Sequence, residues 1–240
     1  MTDTMDLSRR QLLVAGSTFA GYALAADTVL AQAIKTDTDG LAAGEFEVAC
    51  MATPGAPRFI DTYEDQALAA PGMARLLREN HEAFDAFVVA CHCDPNLDLM
   101  KEISRKPVVG IGEASMKTAT MLGHRFSVVS TAARSIPNKE ALIERYGLRG
   151  QMASVRAPEE EGLGGDLEEK FFWTAKAAVD EDGAEVIVLG CAGLAGLDKR
   201  LQARLGVPVL DGVVCALIMA AGMSKYGIST SKAGRYNPDA

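Results

Sequence analysis

A chain of 240 residues, 48% hydrophobic and 23% charged, can bury an ordinary core as one large α/β domain or two small lobes. Its formal charge of −8 repels a phosphate backbone, and no run of Lys and Arg with interleaved aromatics offsets that, so nucleic acid is not an expected partner. Five cysteines, at 50, 91, 93, 191 and 215, are odd in number and scattered, which reads as thiols rather than a disulfide framework.

The chain opens with Ser8-Arg9-Arg10-Gln11-Leu12-Leu13 ahead of a mildly apolar stretch over 12–26, a twin-arginine export pattern. Ala31-Gln32-Ala33 supplies a small-residue cleavage site, so residues 1–33 are expected to be a signal segment directing export to the periplasm. An N-terminal amphipathic helix is the alternative, since Asp3, Asp6 and Asp27 are unfavourable in a signal. The apolar run is too short for a membrane span.

A strand is expected over 46–51 and a helix over 71–84, where apolar residues recur at helical spacing. Phe87-Val88-Val89-Ala90-Cys91 then reads as a strand buried on both faces and ending at a cysteine. A helix and loop lead to a second strand introduced by proline, Pro107-Val108-Val109-Gly110. A strand over 126–131, a helix over about 138–146 and a short strand over 152–155 follow. The Gly-rich stretch 162–165 lies in an acidic loop and reads as a flexible connection rather than a phosphate cradle.

The remainder repeats the earlier pattern: a helix over 167–180, the strand Val186-Ile187-Val188-Leu189-Gly190-Cys191, and Pro208-Val209-Leu210-Asp211. The interval from cysteine to proline is nearly the same in both halves. Alternating apolar strands and helices imply parallel sheets covered by helices, an α/β fold of two similar lobes. The expected division is lobe one over 45–110, completed by 211–240, and lobe two over 111–210. Cys50 and Cys215, inside apolar runs, are assigned to the core.

Working groups in such sheets sit at the carboxyl ends of strands, and Cys91 and Cys191 both occupy that position. A duplication that puts one thiol at the same point of each lobe can set the two face to face across a cleft. Inverting a carbon acid needs a base on one face of a planar intermediate and an acid on the other. Two thiols tuned by strand-to-helix turns suit that task. The backbone N–H groups of His92, Cys93, Ala192 and Gly193 are candidate donors to a developing oxyanion.

Ser130 and Thr131 end a strand and offer hydroxyls to a ligand, or ordinary turn chemistry. His92 is expected to line the pocket and help tune Cys91. Asp94 and Asp98 are expected to cap the following helix, with Asp94 also within reach of the pocket. A metal site of Cys91, His92 and Cys93, completed by His124 or Cys191, is disfavoured because adjacent residues leaving a strand point in opposed directions. No dinucleotide fingerprint, phosphate loop or hydrolase elbow is present, and the residues call for no cofactor and no metal.

The segments Val88-Val89-Ala90-Cys91-His92-Cys93-Asp94-Pro95, Phe126 to Thr131 (FSVVST), Ile187 to Gly193 (IVLGCAG) and Gly206 to Val214 (GVPVLDGVV) resemble the aspartate/glutamate/hydantoin racemase superfamily, on its hydantoin/allantoin branch. Residues 107–115 and the closing Thr230 to Tyr236 add to the resemblance, which spans about 45–240. It implies two pseudo-symmetric flavodoxin-like lobes with parallel sheets and an active-site cleft between them. It also implies racemisation of a cyclic ureide, with Cys91 and Cys191 as catalytic thiols. His92, Cys93, Asp94, Ser130, Thr131, Ala192 and Gly193 are the candidate substrate-binding residues.

The alternatives are a decarboxylase or cis-trans isomerase of the same superfamily, or an inactive small-molecule-binding relic. A small molecule is the expected partner and a homo-oligomer is compatible with the sequence. Residues up to about 40 instead resemble the start of exported dienelactone hydrolases, and the strand that opens lobe one in the superfamily is expected to be missing, which leaves lobe one destabilised, rescued by a partner or filled by residues 10–33. Export would also place Cys91 and Cys93 in an oxidising compartment, whereas the resemblance implies a cytoplasmic enzyme.

Overall fold

The computed structural model describes residues 10–16, 46–57, 59–160 and 163–238, with residues 10–16 described as backbone. The rest of the export-like segment, with its candidate cleavage site at 31–33, lies outside the described residues, as does the stretch up to residue 40.

Among the described residues, eight strands form two four-stranded sheets. The first contains β1 (Arg10–Gly16), β2 (Phe46–Ala52), β3 (Ala86–Val89) and β4 (Val108–Gly110). The second contains β5 (Phe126–Val129), β6 (Met152–Arg156), β7 (Val186–Leu189) and β8 (Val209–Leu210). Every pairing is parallel, and the orders β2-β1-β3-β4 and β6-β5-β7-β8 are the same arrangement twice.

The duplication read around the two cysteines therefore extends through both lobes. Strands β3, β5 and β7 are buried along their whole length. This is why they read as unbroken apolar runs rather than alternating ones.

One expectation is overturned. Lobe one does not lack its first strand: β1 pairs with β2 from Arg10↔Phe46 to Gly16↔Ala52 and with β3 from Leu12↔Ala86 to Ala15↔Val89. The run Leu12-Leu13-Val14-Ala15 that reads as the apolar part of an export signal also meets the composition of a central parallel strand. Short apolar runs do not distinguish the two by pattern alone.

The first helix, α1 (Tyr63–Asn80), begins well before the expected start at residue 71. A capping box opens it: Thr62 Oγ1 accepts from the Asp65 N–H at 3.1 Å, and Asp65 Oδ2 accepts from the Thr62 N–H at 2.8 Å. Pro71 lies inside the helix. The following Gly72 runs so close to the loop before α1 that a Cβ there would lie 2.0 Å from the Pro54 carbonyl oxygen.

After β3 and β4 come α2 (Leu97–Ile103) and α3 (Ile111–Leu122). In the second lobe stand α4 (Ile136–Arg145), α5 (Leu167–Asp182), α6 (Asp198–Leu205) and α7 (Gly212–Tyr226). Two of these cross between the lobes. Met116 and Ala119 of α3, which leaves the first sheet, pack with Phe126, Val128, Val186 and Val188 of the second. Val213, Ala216, Leu217 and Ala220 of α7, which leaves the second sheet, pack with Ala86, Val88 and Val109 of the first. Each sheet is thus roofed by a helix from the opposite half, which holds the carboxyl ends of β3 and β7 around one space.

Cys215 lies in this roof and is buried, as expected. Cys50 does not: it is exposed, on the strand β2 that ends the sheet. None of the five cysteines is in a disulfide. The closing segment clips onto α2, where Lys232 Nζ donates to the carbonyls of Lys101 at 2.5 Å and Glu102 at 2.9 Å, and the Tyr236 hydroxyl donates to Asp98 at 2.6 Å. No helix among the described residues is long and apolar enough to cross a membrane.

Candidate active site

A cavity of about 440 Å³ opens where the carboxyl ends of the two sheets meet. Lobe one contributes Phe59, Ile60 and Asp61 from the loop after β2 and Cys91, His92 and Cys93 from the loop after β3. Lobe two contributes Ser130 and Thr131 after β5, Arg134 from the turn before α4, Asn138 and Lys139 from the first turn of α4, and Gly190, Cys191 and Ala192 after β7. Seven of the nine sequence-derived candidates thus line one space, with both thiols among them.

The two cysteines are held alike and tuned differently. In each lobe the sulfur accepts from the backbone N–H two residues further on: Gly193 to Cys191 at 3.3 Å, and Cys93 to Cys91. Lobe one adds a second sulfur, Cys93 Sγ, 3.3 Å from Cys91 Sγ.

The hydrogen bond from the Cys93 thiol is the largest influence on Cys91. With the Lys139 charge and the Cys93 amide it outweighs burial, and the thiol is drawn down to about 7. Cys93 is pushed far up in return, first by that same hydrogen bond and then by burial, so it stays a thiol and donates. Cys191 has one amide donor and no second thiol, and burial pushes it up to about 11. Near neutral pH Cys91 is therefore about half ionised, whereas Cys93 and Cys191 stay thiols.

Two candidates are placed elsewhere. Asp94 is 2% exposed and does not face the cavity. It turns back against the other side of the loop, where it accepts from the Gly112 N–H at 3.0 Å, the Glu113 N–H at 2.6 Å and the Tyr146 hydroxyl at 2.6 Å. It therefore caps α3 rather than α2, whose start at Asn96 has no side-chain cap. A Cβ on Gly110 would lie 2.3 Å from its Oδ1, so that strand end has room only for glycine. Asp98, the other expected cap, pairs with Arg145 and Tyr236. Gly193 is the second case, because its N–H is taken by Cys191 Sγ and holds the thiol rather than a ligand oxygen.

The Asp94 arrangement carries a stability prediction. Burial pushes this carboxyl up to about 6 against the pull of its three donors. Tyr146→Phe removes one of them and leaves a buried acceptor underserved, at a cost of about 1–3 kcal/mol. Urea unfolding of the variant is the measurement, and unchanged stability would show that water replaces the hydroxyl.

His92 is 1% exposed and buried in the cavity wall. Burial first, and then the Lys139 charge, hold it well below the usual histidine range, so the ring is neutral. Ser130 is also buried, its hydroxyl 2.5 Å from that of Ser135, whereas Thr131 is half-buried at the cavity. His124 lies away from the site, against Glu185 at 3.2 Å.

Lys139 is a buried cavity residue that the sequence reading missed. It is 6% exposed, lines the cavity and lies 3.3 Å from His92 Nδ1. A signal for it existed: Lys139 precedes Leu142 and Ile143 by three and four residues, on the helical face that both bury.

The family described as Asp/Glu/Hydantoin racemase matches residues 26–220, a span that leaves β1 outside it. The hydantoin racemase of Rhizobium meliloti is 39% identical over 186 residues, covering 75% of this chain and 77% of that protein. The allantoin racemase of Klebsiella pneumoniae superposes with a TM-score of 0.86 at 30% identity, covering 96% of this chain and 94% of that one. The allantoin racemase of Pseudomonas fluorescens gives a TM-score of 0.84 at 30% identity, with coverage of 96% and 97%.

Proposed function

Because the chain belongs to the Asp/Glu/hydantoin racemase family, we propose that it inverts the acidic carbon of a five-membered cyclic ureide of the hydantoin or allantoin type. The chain is an isomerase of the racemase kind. In this reading Cys91 and Cys191 act as the two acid/base groups.

The observation that carries the reading is one cavity bounded by a thiol from the same strand end of each lobe, with Cys91 drawn down to about 7 and Cys191 pushed up to about 11. The Cys91 thiolate removes the proton from the carbon beside the carbonyl, and the intermediate flattens. The Cys191 thiol then delivers a proton from the other face. Carbonyl charge that builds in between is met by the Ala192 amide on the cavity wall. Two thiols carry both proton transfers, so this route calls on no cofactor.

The test follows an enantiopure 5-substituted hydantoin, or allantoin, in D₂O. Optical rotation is expected to decay to zero as one deuterium enters at the inverted carbon. Ligand that binds but neither racemises nor exchanges would refute the reading.

The pH profile carries its own prediction. The active form has Cys91 ionised and Cys191 protonated. The rate is therefore expected to fall about tenfold per unit below about 7, level off, and fall again only near 11. An acid limb centred near 9, where an unperturbed thiol titrates, would exclude Cys91 as the tuned base.

A further inference from the structure

Lys139 is a buried cation on the cavity wall, and no carboxylate among the described residues forms an ion pair with it. A charge in that position is stable only when something answers it.

Its nearest partner is the His92 ring, which is neutral, and the neighbouring hydrogen bonds fix which nitrogen carries the proton. Ser115 Oγ donates to the Ile111 carbonyl at 2.7 Å, so it accepts from the His92 Nε2–H at 3.2 Å. That leaves Nδ1 as a lone pair, which accepts from Lys139 Nζ at 3.3 Å. The chain Lys139 to His92 to Ser115 to Ile111 uses one N–H of the ammonium, holds its position and leaves two N–H groups for the cavity.

We propose that Lys139 is a positioning residue for the inversion: its ammonium, pinned by His92, is the fixed counter-cation of the Cys91 thiolate. The proposal rests on the reading of Cys91 as the base. His92 is then the strut that aims the lysine, and not itself a proton carrier.

The charged and titratable groups around Cys91 favour this assignment. Cys93 is a neutral donor, and His92 is neutral. Asp94, behind the loop, acts against a thiolate. Cys191 on the opposite lobe gains nothing from a second negative charge nearby. On the cavity wall, Asp61 brings a negative charge and Arg134 lies in the turn before α4. Lys139 lines the same cavity as Cys91, Cys93 and Cys191 and is held against His92, the residue next to Cys91, and its charge favours the thiolate form of each.

The test separates charge from hydrogen bonding. Lys139→Gln keeps an N–H for His92 Nδ1 and removes the charge, whereas Lys139→Arg keeps the charge. The rate at which iodoacetamide alkylates Cys91, assigned by tandem mass spectrometry, is measured across pH for each.

Lys139→Gln is expected to raise the midpoint of Cys91 alkylation by about one unit and lower its rate at pH 7 about fivefold. Lys139→Arg is expected to restore most of both. The acid limb of kcat is expected to move by the same amount, with KM changing less. If glutamine unfolds the chain, Lys139→Met fills the same volume and is expected to give the same shift.

An unmoved alkylation midpoint in a folded charge-free variant overturns the proposal, and so does a raised KM with unchanged alkylation, which would assign the ammonium to the ligand alone. A moved midpoint in a protein that inverts no ureide sustains the Lys139–Cys91 pair and removes only the racemase reading.

Discussion

Serine at position 91 or 191 is expected to lower the rate of inversion by at least about 10³-fold while leaving the fold intact. The structural cost is small, since a serine hydroxyl can still accept from the Gly193 or Cys93 amide that now serves sulfur. The chemical cost is large because a hydroxyl does not ionise near neutral pH.

The two variants are expected to fail differently. With Cys191→Ser, the Cys91 thiolate still removes a proton from one face, so one enantiomer exchanges its α-hydrogen with solvent without inverting. With Cys91→Ser, the remaining Cys191 is a thiol up to about 11. Exchange and inversion are then both lost at neutral pH. Chiral chromatography together with deuterium uptake separates the cases. Inversion retained in either variant would reject the two-base route.

This site was legible in the sequence to the extent that it is made of strand ends. Buried parallel strands cannot alternate, so 87–91 and 186–191 announce themselves as apolar runs, and a cysteine ending both is visible without coordinates. The shared sheet order follows from that duplication. Side chains whose partners lie far along the chain were not legible in this way. Asp94 reads as a local cap because Pro95 follows it, yet its donors are Gly112, Glu113 and Tyr146.

Edges were also hidden. Cys50 lies in a run as apolar as its neighbours, but β2 ends the sheet and leaves it exposed. Lys139 was missed for the opposite reason, because a lysine in a predicted helix is ordinarily given to solvent. Its spacing to Leu142 and Ile143 argued otherwise.

The largest departure from the sequence reading concerns residues 10–16, and it sets the second main prediction. A chain that begins after Ala33 is expected to lose the fold of lobe one, and with it all inversion. β1 is an interior strand, laddered to β2 on one side and β3 on the other, so its removal strips partners from both. Backbone groups of β3 that now pair inside the sheet would be left open in a buried layer, at about 1–3 kcal/mol each. Several such losses exceed the stability of an ordinary domain.

The loop after β3 carries Cys91, and the loop after β2 carries Asp61, so the cavity loses one wall entirely. Cleavage at the signal-like site would have the same consequence: a processed chain cannot keep this sheet. A milder probe is Leu13→Pro, which deletes a ladder N–H in the middle of β1 without shortening the chain. It is expected to lower the melting temperature and the rate together. Full-rate inversion and an unchanged melting temperature in the chain lacking residues 1–33 would show that β1 is dispensable and that another segment fills the space between β2 and β3.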